Sequence, residues 1–273
     1  MSKARLREIF GVDKPLIAMC HLPGLPGRPR HDVSRGMDAI VEPITRDVIA
    51  LQDAGVDGLL FCNENDIPYQ LRVGPEIVAA MAAAVARVLP QVRLPFGVNL
   101  LWDPAASLAV ARATGAAFVR EVFTGAFEGD TGLITPVFGE LAAYRHNIGA
   151  DGVAIFTNIT LEFSQSLANR SVAERARGAV FLGVDAILVS GPMAGVSAPM
   201  ETLQEAREAV PDTAVLANTG VNHDNAAQVL TVSDGAIVGT SLKVDGSTWN
   251  PVDPTRARRM VELFARARKS TTA

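Results

Sequence analysis

Cysteine is nearly absent from this chain of 273 residues, which contains only Cys20 and Cys62. The two are not spaced as in a metal or redox motif, so we interpret them as structural thiols in a reducing compartment. No apolar run approaches the ~20 residues of a membrane-spanning helix, and residues 1–15 lack the apolar core of a signal peptide. The formal net charge of −4 provides no basic surface for nucleic acid. These absences predict a cytoplasmic protein that neither inserts into a membrane nor binds nucleic acid.

One short pattern recurs along the chain: a small or acidic pair followed by an apolar run. It occurs at 55–61, 114–120, 149–156, 183–190 and 233–240. Each copy predicts a helix that ends at glycine, a tight turn and a strand buried on both faces. Three further apolar runs lie at 16–21, 95–100 and 214–219. Together the five copies and the three runs predict eight strands.

Helical patterns fill the intervals between the predicted strands. The predicted helices cover 37–54, 75–89, 103 onward, 139–147, 171–182, 200–210, 222–230 and 253–268. Asp103 and Pro104 provide an N-cap and first turn, and Ser171 with Glu174 forms a capping box. Strands and helices that alternate every ~30 residues predict parallel βαβ units. We therefore predict an α/β protein, a (β/α)8 TIM barrel over 1–273 with a disordered tail at 269–273. An open doubly wound sheet is the alternative, but no G-x-G-x-x-G follows the first strand.

The chemistry of a TIM barrel is found where its strands end. Asn63, Glu64, Asn65 and Asp66 follow the second predicted strand directly. The other strand ends contribute His21, Asn99, Asp103, Arg120, Glu121, Thr157, Asn158, Ser190, Asn218, Thr219, Thr240 and Ser241. Turn chemistry would explain any one of these residues. Their convergence on one rim predicts an active site.

Three long loops are predicted on the same rim, at 21–36, 121–138 and 159–171. Loops longer than about 12 residues are more often functional than filler. Phe123, Phe127 and Phe138, together with the glycines between them, suit a lid over a small molecule. The same apolar residues suit a contact between subunits equally well. We therefore also predict a homo-oligomer.

Glycines and hydroxyl groups mark the ends of the last two predicted strands, at 218–225 and 238–243, and glycines also follow the sixth strand at 190–199. Backbone N–H groups in such turns surround phosphate in many TIM barrels. We assign substrate binding to one group of residues: Asn65, Asn99, Asn158, Thr219, Gly220, Gly239 and Thr240. The substrate is then a small, phosphorylated molecule. Tight-turn geometry alone is the alternative explanation for the glycines.

Lysine is scarce, which narrows the chemistry. The chain contains only Lys3, Lys14, Lys243 and Lys269. None lies within a predicted strand, so a Schiff-base mechanism is disfavoured, and neither H-x-H nor G-x-S-x-G occurs at the required place. What remains is acid–base catalysis by His21, Glu64 and Asp66, with Arg120 stabilising charge; we expect His21 to titrate near neutrality. No cofactor is predicted, although Glu64, Asp66 or Asp103 offers the oxygen ligands that Mg²⁺ prefers.

Several segments of the sequence resemble the BtpA family. They are 18–27, the acidic segment at 63–66 with Pro68, 234–243 and 245–254, and the resemblance extends over nearly the whole chain. It implies a fold similar to the ribulose-phosphate-binding barrels. The residues that match shared motifs are His21, Glu64, Asn65, Asp66, Arg120, Gly220, Gly239 and Thr240. The family is named for a proposed role in photosystem I accumulation, and related members occur beside genes for sugar uptake and metabolism.

Two functions are compatible with these observations. The first is a metabolic enzyme that uses acid–base chemistry on a phosphorylated sugar or nucleoside-like molecule, as an isomerase, lyase or glycosidic-bond hydrolase. The second is a non-catalytic biogenesis or assembly factor for a membrane protein complex of the photosystem I type. The polar rim favours the enzyme, because a scaffold does not require titratable groups there.

Overall fold

Eight parallel strands close into a barrel in the computed structural model, which describes residues 3–271. The strands of the chain are β1 (Leu16–His21), β2 (Gly58–Cys62), β3 (Phe96–Asn99), β4 (Phe118–Glu121), β5 (Phe127–Gly129), β6 (Gly132–Ile134), β7 (Ala154–Asn158), β8 (Ser164–Ser166), β9 (Ala186–Val189), β10 (Ala214–Ala217) and β11 (Ala236–Val238). Strand β1 pairs with β2 on one side and with β11 on the other, which closes the sheet. The predicted (β/α)8 barrel is confirmed.

Apart from the first helix, which precedes β1, the helices follow the strands where the sequence pattern predicted them. They are α1 (Lys3–Phe10), α2 (Asp38–Ala54), α3 (Pro75–Val88), α4 (Pro104–Thr114), α5 (Phe138–Asn147), α6 (Val172–Leu182), α7 (Met200–Ala209), α8 (Ala226–Val232) and α9 (Pro254–Thr271). The Asp103 side chain accepts from the Ala106 N–H, and Ser171 with Glu174 completes the predicted capping box. Part of the tail predicted at 269–273 continues helix α9, and positions 272–273 lie outside the described residues.

The barrel interior is filled with side chains and closed at its N-terminal end. Helix α1, which no sequence pattern predicted, lies across that opening. Its Phe10 packs edge-on against Phe118 with ring centroids 5.6 Å apart, and Phe118 stacks on Phe156 at 4.6 Å. A Cβ at Gly97 would lie 2.3 Å from the Phe118 ring, so glycine is required beside it. The barrel interior at this end is therefore a packed core.

A buried ion pair links the segment after β11 to helix α2. Lys243 is 1% exposed, and its Nζ lies 2.6 Å from Oδ2 of Asp47 on α2. The second carboxylate oxygen of Asp47 accepts from the Val252 N–H at 2.8 Å. Because a buried charge requires a partner, this pair fixes the course of residues 243–252. The Lys243 amine is consequently engaged.

The two long loops after β4 and β7 form a small sheet. Strand β5 pairs antiparallel with both β6 and β8, which joins the loops above the barrel rim. Four buried side chains, Val122, Phe127, Ile134 and Leu161, form a separate apolar cluster beneath it. Phe123 and Phe127 are thus core residues, and Phe138 begins α5. The large exposed apolar side chains of the two loops are Leu133, Val137, Phe163 and Leu167, and a homo-oligomer remains a prediction.

We expect Phe10→Ala to lower the free energy of unfolding by about 3 kcal/mol, because it empties space against the Phe118 ring. Urea denaturation followed by far-UV circular dichroism measures this change. Phe181→Ala is the matched control, since Phe181 is 90% exposed and its truncation removes little packing. Equal effects of the two variants would show that α1 does not contribute to the core.

Candidate functional site

A cavity of about 430 Å³ opens at the C-terminal ends of the barrel strands. Its size lies within the ~300–1,000 Å³ range of small-molecule sites. Of the site residues predicted from sequence, those on the cavity wall are His21, Glu64, Arg120, Asn158, Thr219, Gly220, Gly239 and Thr240. The fold therefore brings together side chains from all around the rim, as the strand ends predicted.

Asn65, Asp66 and Asn99 do not lie on the cavity wall. The Asp66 carboxylate accepts from the Leu25 N–H at 2.8 Å and from Asn63 Nδ2 at 2.9 Å. The Asn65 amide donates to the Leu22 carbonyl at 2.7 Å. Both residues therefore hold the loop that follows β1. Of the acidic segment after β2, only Glu64 faces the cavity.

His21 and Glu64 form the pair nearest to acid–base chemistry. His21 Nε2 lies 3.9 Å from Glu64 Oε2, and the His21 side chain is only 7% exposed. A Cβ at Gly239 would lie 3.0 Å from His21 Cε1, so glycine leaves room for the imidazole. The Tyr69 hydroxyl donates to the Glu64 backbone carbonyl at 2.9 Å. Strands β1, β2 and β11 together position this pair.

Burial sets the protonation of this pair. Desolvation lowers the pKa of His21 to about 3, and the nearby Lys243 charge acts in the same direction, against a smaller opposing effect from the Thr248 backbone. The prediction that His21 titrates near neutrality is therefore wrong. Desolvation also raises the pKa of Glu64, and the neighbouring Glu162 carboxylate raises it further. The site holds a neutral imidazole beside a carboxyl group that retains its proton more readily than usual.

Arg120 and Glu121 are linked through Asn99. Arg120 Nη1 donates to Asn99 Oδ1 at 2.7 Å, and Asn99 Nδ2 donates to Glu121 Oε1 at 2.7 Å. Asn99 therefore orients two cavity residues from behind. Burial raises the pKa of Glu121 to about 7, although Arg120 and the N–H groups of Val122 and Trp102 favour its charged form. Sequence reasoning placed Glu121 on the rim without assigning it to the site.

Trp102 reaches the cavity through an uncommon backbone conformation. Its φ is 68°, a region that bulky residues rarely adopt. The Trp102 N–H donates to Glu121 Oε1 at 3.1 Å, which holds the turn after β3 in place. The indole lines the cavity beside Tyr69 and Leu101. No sequence pattern assigned Trp102 to the site.

The ends of β10 and β11 form the opposite side of the cavity. A Cβ at Gly220 would lie 2.1 Å from the Ser197 nitrogen, because the loop at 190–199 packs directly onto this glycine. The Thr219 hydroxyl donates to the Glu162 carboxylate, so it is engaged within the protein. The hydroxyls of Thr240 and Thr248 lie 2.7 Å apart.

Arg256 brings a positive charge to this side of the cavity. Its Nε donates to the Ser241 carbonyl at 2.9 Å. Within residues 3–271 its two terminal nitrogens make no hydrogen bond or ion pair with the protein. Sequence reasoning missed Arg256, whose only signal was its place in the first turn of the helix after β11.

Within the described part of the chain, no group of three or more His, Cys, Asp or Glu side chains is arranged to hold a metal ion. The Asp103 carboxylate accepts from the N–H groups of Val73 and Ala106. Of the proposed oxygen ligands, Glu64 alone faces the cavity. A role for Mg²⁺ remains a prediction.

Comparison with known proteins identifies the family. The model of the BtpA family matches residues 12–266. The chain belongs to the BtpA family. The sgc region protein SgcQ of Escherichia coli is 42% identical over 265 residues, covering 97% of this chain and 99% of SgcQ. The photosystem I biogenesis protein BtpA of Synechocystis is 33% identical over 269 residues, covering 97% of this chain and 93% of that protein.

Solved structures place this BtpA-family chain among TIM barrels of low sequence similarity. The (S)-3-O-geranylgeranylglyceryl phosphate synthase of Thermoplasma acidophilum, solved with its substrate sn-glycerol-1-phosphate, superimposes with a TM-score of 0.61. The match covers 96% of each chain at 13% identity, so it reports on the fold alone.

Among residues 3–271, no helix has both the length and the apolar character to cross a bilayer. The cytoplasmic location stays a prediction.

We expect the imidazole of His21 to remain neutral when the pH is lowered from 8 to 5, since its pKa lies near 3 in the folded protein. The ordinary pKa of histidine is about 6.5, so folding stability from neutral His21 is present above that pH and lost as pH falls toward 3. Two-dimensional NMR of the histidine rings measures this directly, with His21→Gln assigning the signal. A midpoint near pH 6.5 for His21 would contradict the burial argument.

Proposed function

We propose that this protein is an enzyme that binds a phosphorylated sugar or nucleoside-like molecule and acts on it by acid–base chemistry. The observation that carries the proposal is the polarity of one cavity. The imidazole–carboxyl pair of His21 and Glu64 lies on one part of its wall, and the guanidinium of Arg256, which has no ion-pair partner within residues 3–271, lies on another. A ligand in this cavity can present an anionic end and a reacting end at once.

The phosphate end is formed by Gly220, Gly239, Thr240 and Arg256. Glycine lets a backbone N–H approach an anion closely, and Arg256 supplies charge-assisted hydrogen bonds. Thr219 is assigned a smaller part than the sequence suggested, because its hydroxyl donates to Glu162. Phosphate binding at the ends of the last two strands is common in TIM barrels, and it supports this assignment by analogy of fold.

The reacting end is formed by Glu64, His21 and Arg120. Glu64 is the group that gains or loses a proton, because its raised pKa brings its two forms closer in energy near neutral pH. Neutral His21 serves as a hydrogen-bond partner and not as the base, since its imidazolium form is strongly disfavoured. Arg120 stabilises negative charge that develops on the substrate. Isomerisation, bond cleavage by elimination and glycosidic hydrolysis all use these roles.

A non-catalytic assembly factor is the second candidate. It is favoured by the relationship to the Synechocystis photosystem I biogenesis protein and by the exposed apolar side chains Leu133 and Leu167 on the loops above the cavity. Such a factor would act through these outer side chains and would not depend on Glu64.

We expect a thermal-shift screen to find stabilisation by phosphorylated ligands, with and without Mg²⁺. The screen includes inorganic phosphate, sugar phosphates, nucleotides and unphosphorylated nucleosides. A ligand present at 100 times its Kd adds about 2.7 kcal/mol to the free energy of unfolding.

We expect Arg256→Gln to weaken binding of the best ligand roughly ten- to a hundredfold, since a charged hydrogen bond is lost. Arg259→Gln, an exposed arginine on the same helix, is the matched control. The phosphate end is refuted if no phosphorylated compound stabilises the protein.

We expect Glu64→Gln to reduce kcat on the substrate class found in the screen by about 10²- to 10⁴-fold while ligand binding is retained, because the amide cannot transfer the proton. Steady-state kinetics and calorimetric binding separate the two effects. Glu128→Gln is the control, as this exposed carboxylate lies outside the cavity wall. Full biological activity of Glu64→Gln, together with its loss on Leu133→Ser, would favour the assembly factor instead.

A further inference from the structure

Besides Nδ1 of His21, three buried polar atoms of residues on the cavity wall have no hydrogen-bond partner within the described residues. They are the indole nitrogen of Trp102, Nε of Arg120 and Oδ1 of Asn218. A buried polar atom without a partner costs on the order of 1–3 kcal/mol. All three belong to residues of one cavity, so a ligand that supplies the missing partners is favoured there.

The chemistry of the three atoms limits what the ligand presents. The Trp102 and Arg120 nitrogens can only donate, whereas Asn218 Oδ1 can only accept. The Asn218 amide nitrogen already donates to Ser190 Oγ at 2.8 Å, which fixes its orientation. A hydroxyl group both donates and accepts, and it can serve all three atoms. A phosphate or carboxylate oxygen only accepts, and it would leave Asn218 Oδ1 unpaired.

The acidic side chains of the wall disfavour a second anion. Glu64, Glu121 and Glu162 all line the cavity, with Arg120 as the positive charge among them. Arg120 is already bound to Asn99, which in turn donates to Glu121. Arg256 is held instead by Ser241, on the segment after β11, and its terminal nitrogens make no contact with these carboxylates. One end of the cavity thus suits an anion, and the rest suits neutral hydroxyl groups.

The backbone of Trp102 provides separate support for a ligand contact. A positive φ in a bulky residue is strained, and such strain occurs mainly at functional positions. Here it is maintained by the hydrogen bond from the Trp102 N–H to Glu121. The consequence is an indole N–H that is held in the cavity wall without a protein partner.

We propose that the ligand is a sugar monophosphate, whose phosphate lies toward Arg256 and whose hydroxyl groups contact Trp102, Arg120 and Asn218. The cavity therefore discriminates against sugar bisphosphates. This inference rests on the proposed function, because it assumes that the phosphate binds toward Arg256 and adds contacts for the rest of the ligand.

Isothermal titration calorimetry tests the inference with three sets of probes: inorganic phosphate, pentose and hexose monophosphates, and ribulose 1,5-bisphosphate with fructose 1,6-bisphosphate. We expect a sugar monophosphate to bind at least tenfold more tightly than either inorganic phosphate or the bisphosphates. Trp102→Phe should weaken that monophosphate about fivefold, the value of one neutral hydrogen bond, and leave inorganic phosphate unchanged. Because the indole nitrogen makes no bond within the protein, the variant should keep its thermal stability.

A deoxy analogue gives a test on the unmodified protein. If ribose 5-phosphate is the preferred ligand, 2-deoxyribose 5-phosphate should bind more weakly, and the corresponding deoxy analogue applies to any other sugar. The inference is overturned if inorganic phosphate binds as tightly as every sugar monophosphate, if bisphosphates bind equally well, or if Trp102→Phe weakens phosphate and sugar phosphate alike. Each of these results leaves the phosphate end in place. Failure of every phosphorylated probe would instead refute the proposed function itself.

Discussion

Closure of the parallel sheet between β1 and β11 is the constraint on which the site depends. Because all eight barrel strands run in one direction, their hydrogen bonds place every carboxyl end on a single rim. His21 at the end of β1 thereby meets Glu64 after β2 and Gly239 after β11, residues that are more than 200 positions apart at the extremes. An open sheet would separate β1 from β11, and the imidazole would lose the wall against which it packs.

The same closure sets the electrostatics of the cavity. Helix α1 and the packed aromatic rings close the N-terminal end of the barrel. Water therefore does not reach the polar groups of the cavity through the barrel interior. Desolvation lowers the pKa of His21 and raises the pKa of Glu121, so in each case it favours the neutral form of the side chain. Buried Glu121 opposes folding at neutral pH, whereas His21 does so only below the ordinary pKa of histidine, and a site that holds groups with such displaced pKa values is typical of chemistry rather than of packing.

The two long loops after β4 and β7 carry features on which both the enzyme and the assembly-factor interpretations depend. Strands β5, β6 and β8 fold the loops over the rim, and their inner residues Leu161 and Glu162 reach the cavity. Their outer surface presents Leu133 and Leu167 to solvent. An apolar outer face thus lies above a polar cavity, and relatives of this chain carry names from different contexts.

Local chemistry in the sequence determined the barrel itself. The repeated glycine-plus-apolar pattern and three further apolar runs predicted the eight strands, and Ser171 with Glu174 predicted a helix start, because turns and caps depend on neighbouring residues. Tertiary structure decided which polar residues face the cavity. Glu64 points inward, whereas Asp66, two residues later, binds the backbone of Leu25. Arg256 and Trp102 joined the site through packing of distant segments, and the pKa of His21 was set by burial. Burial and charge act through space, so no pattern along the chain could show them.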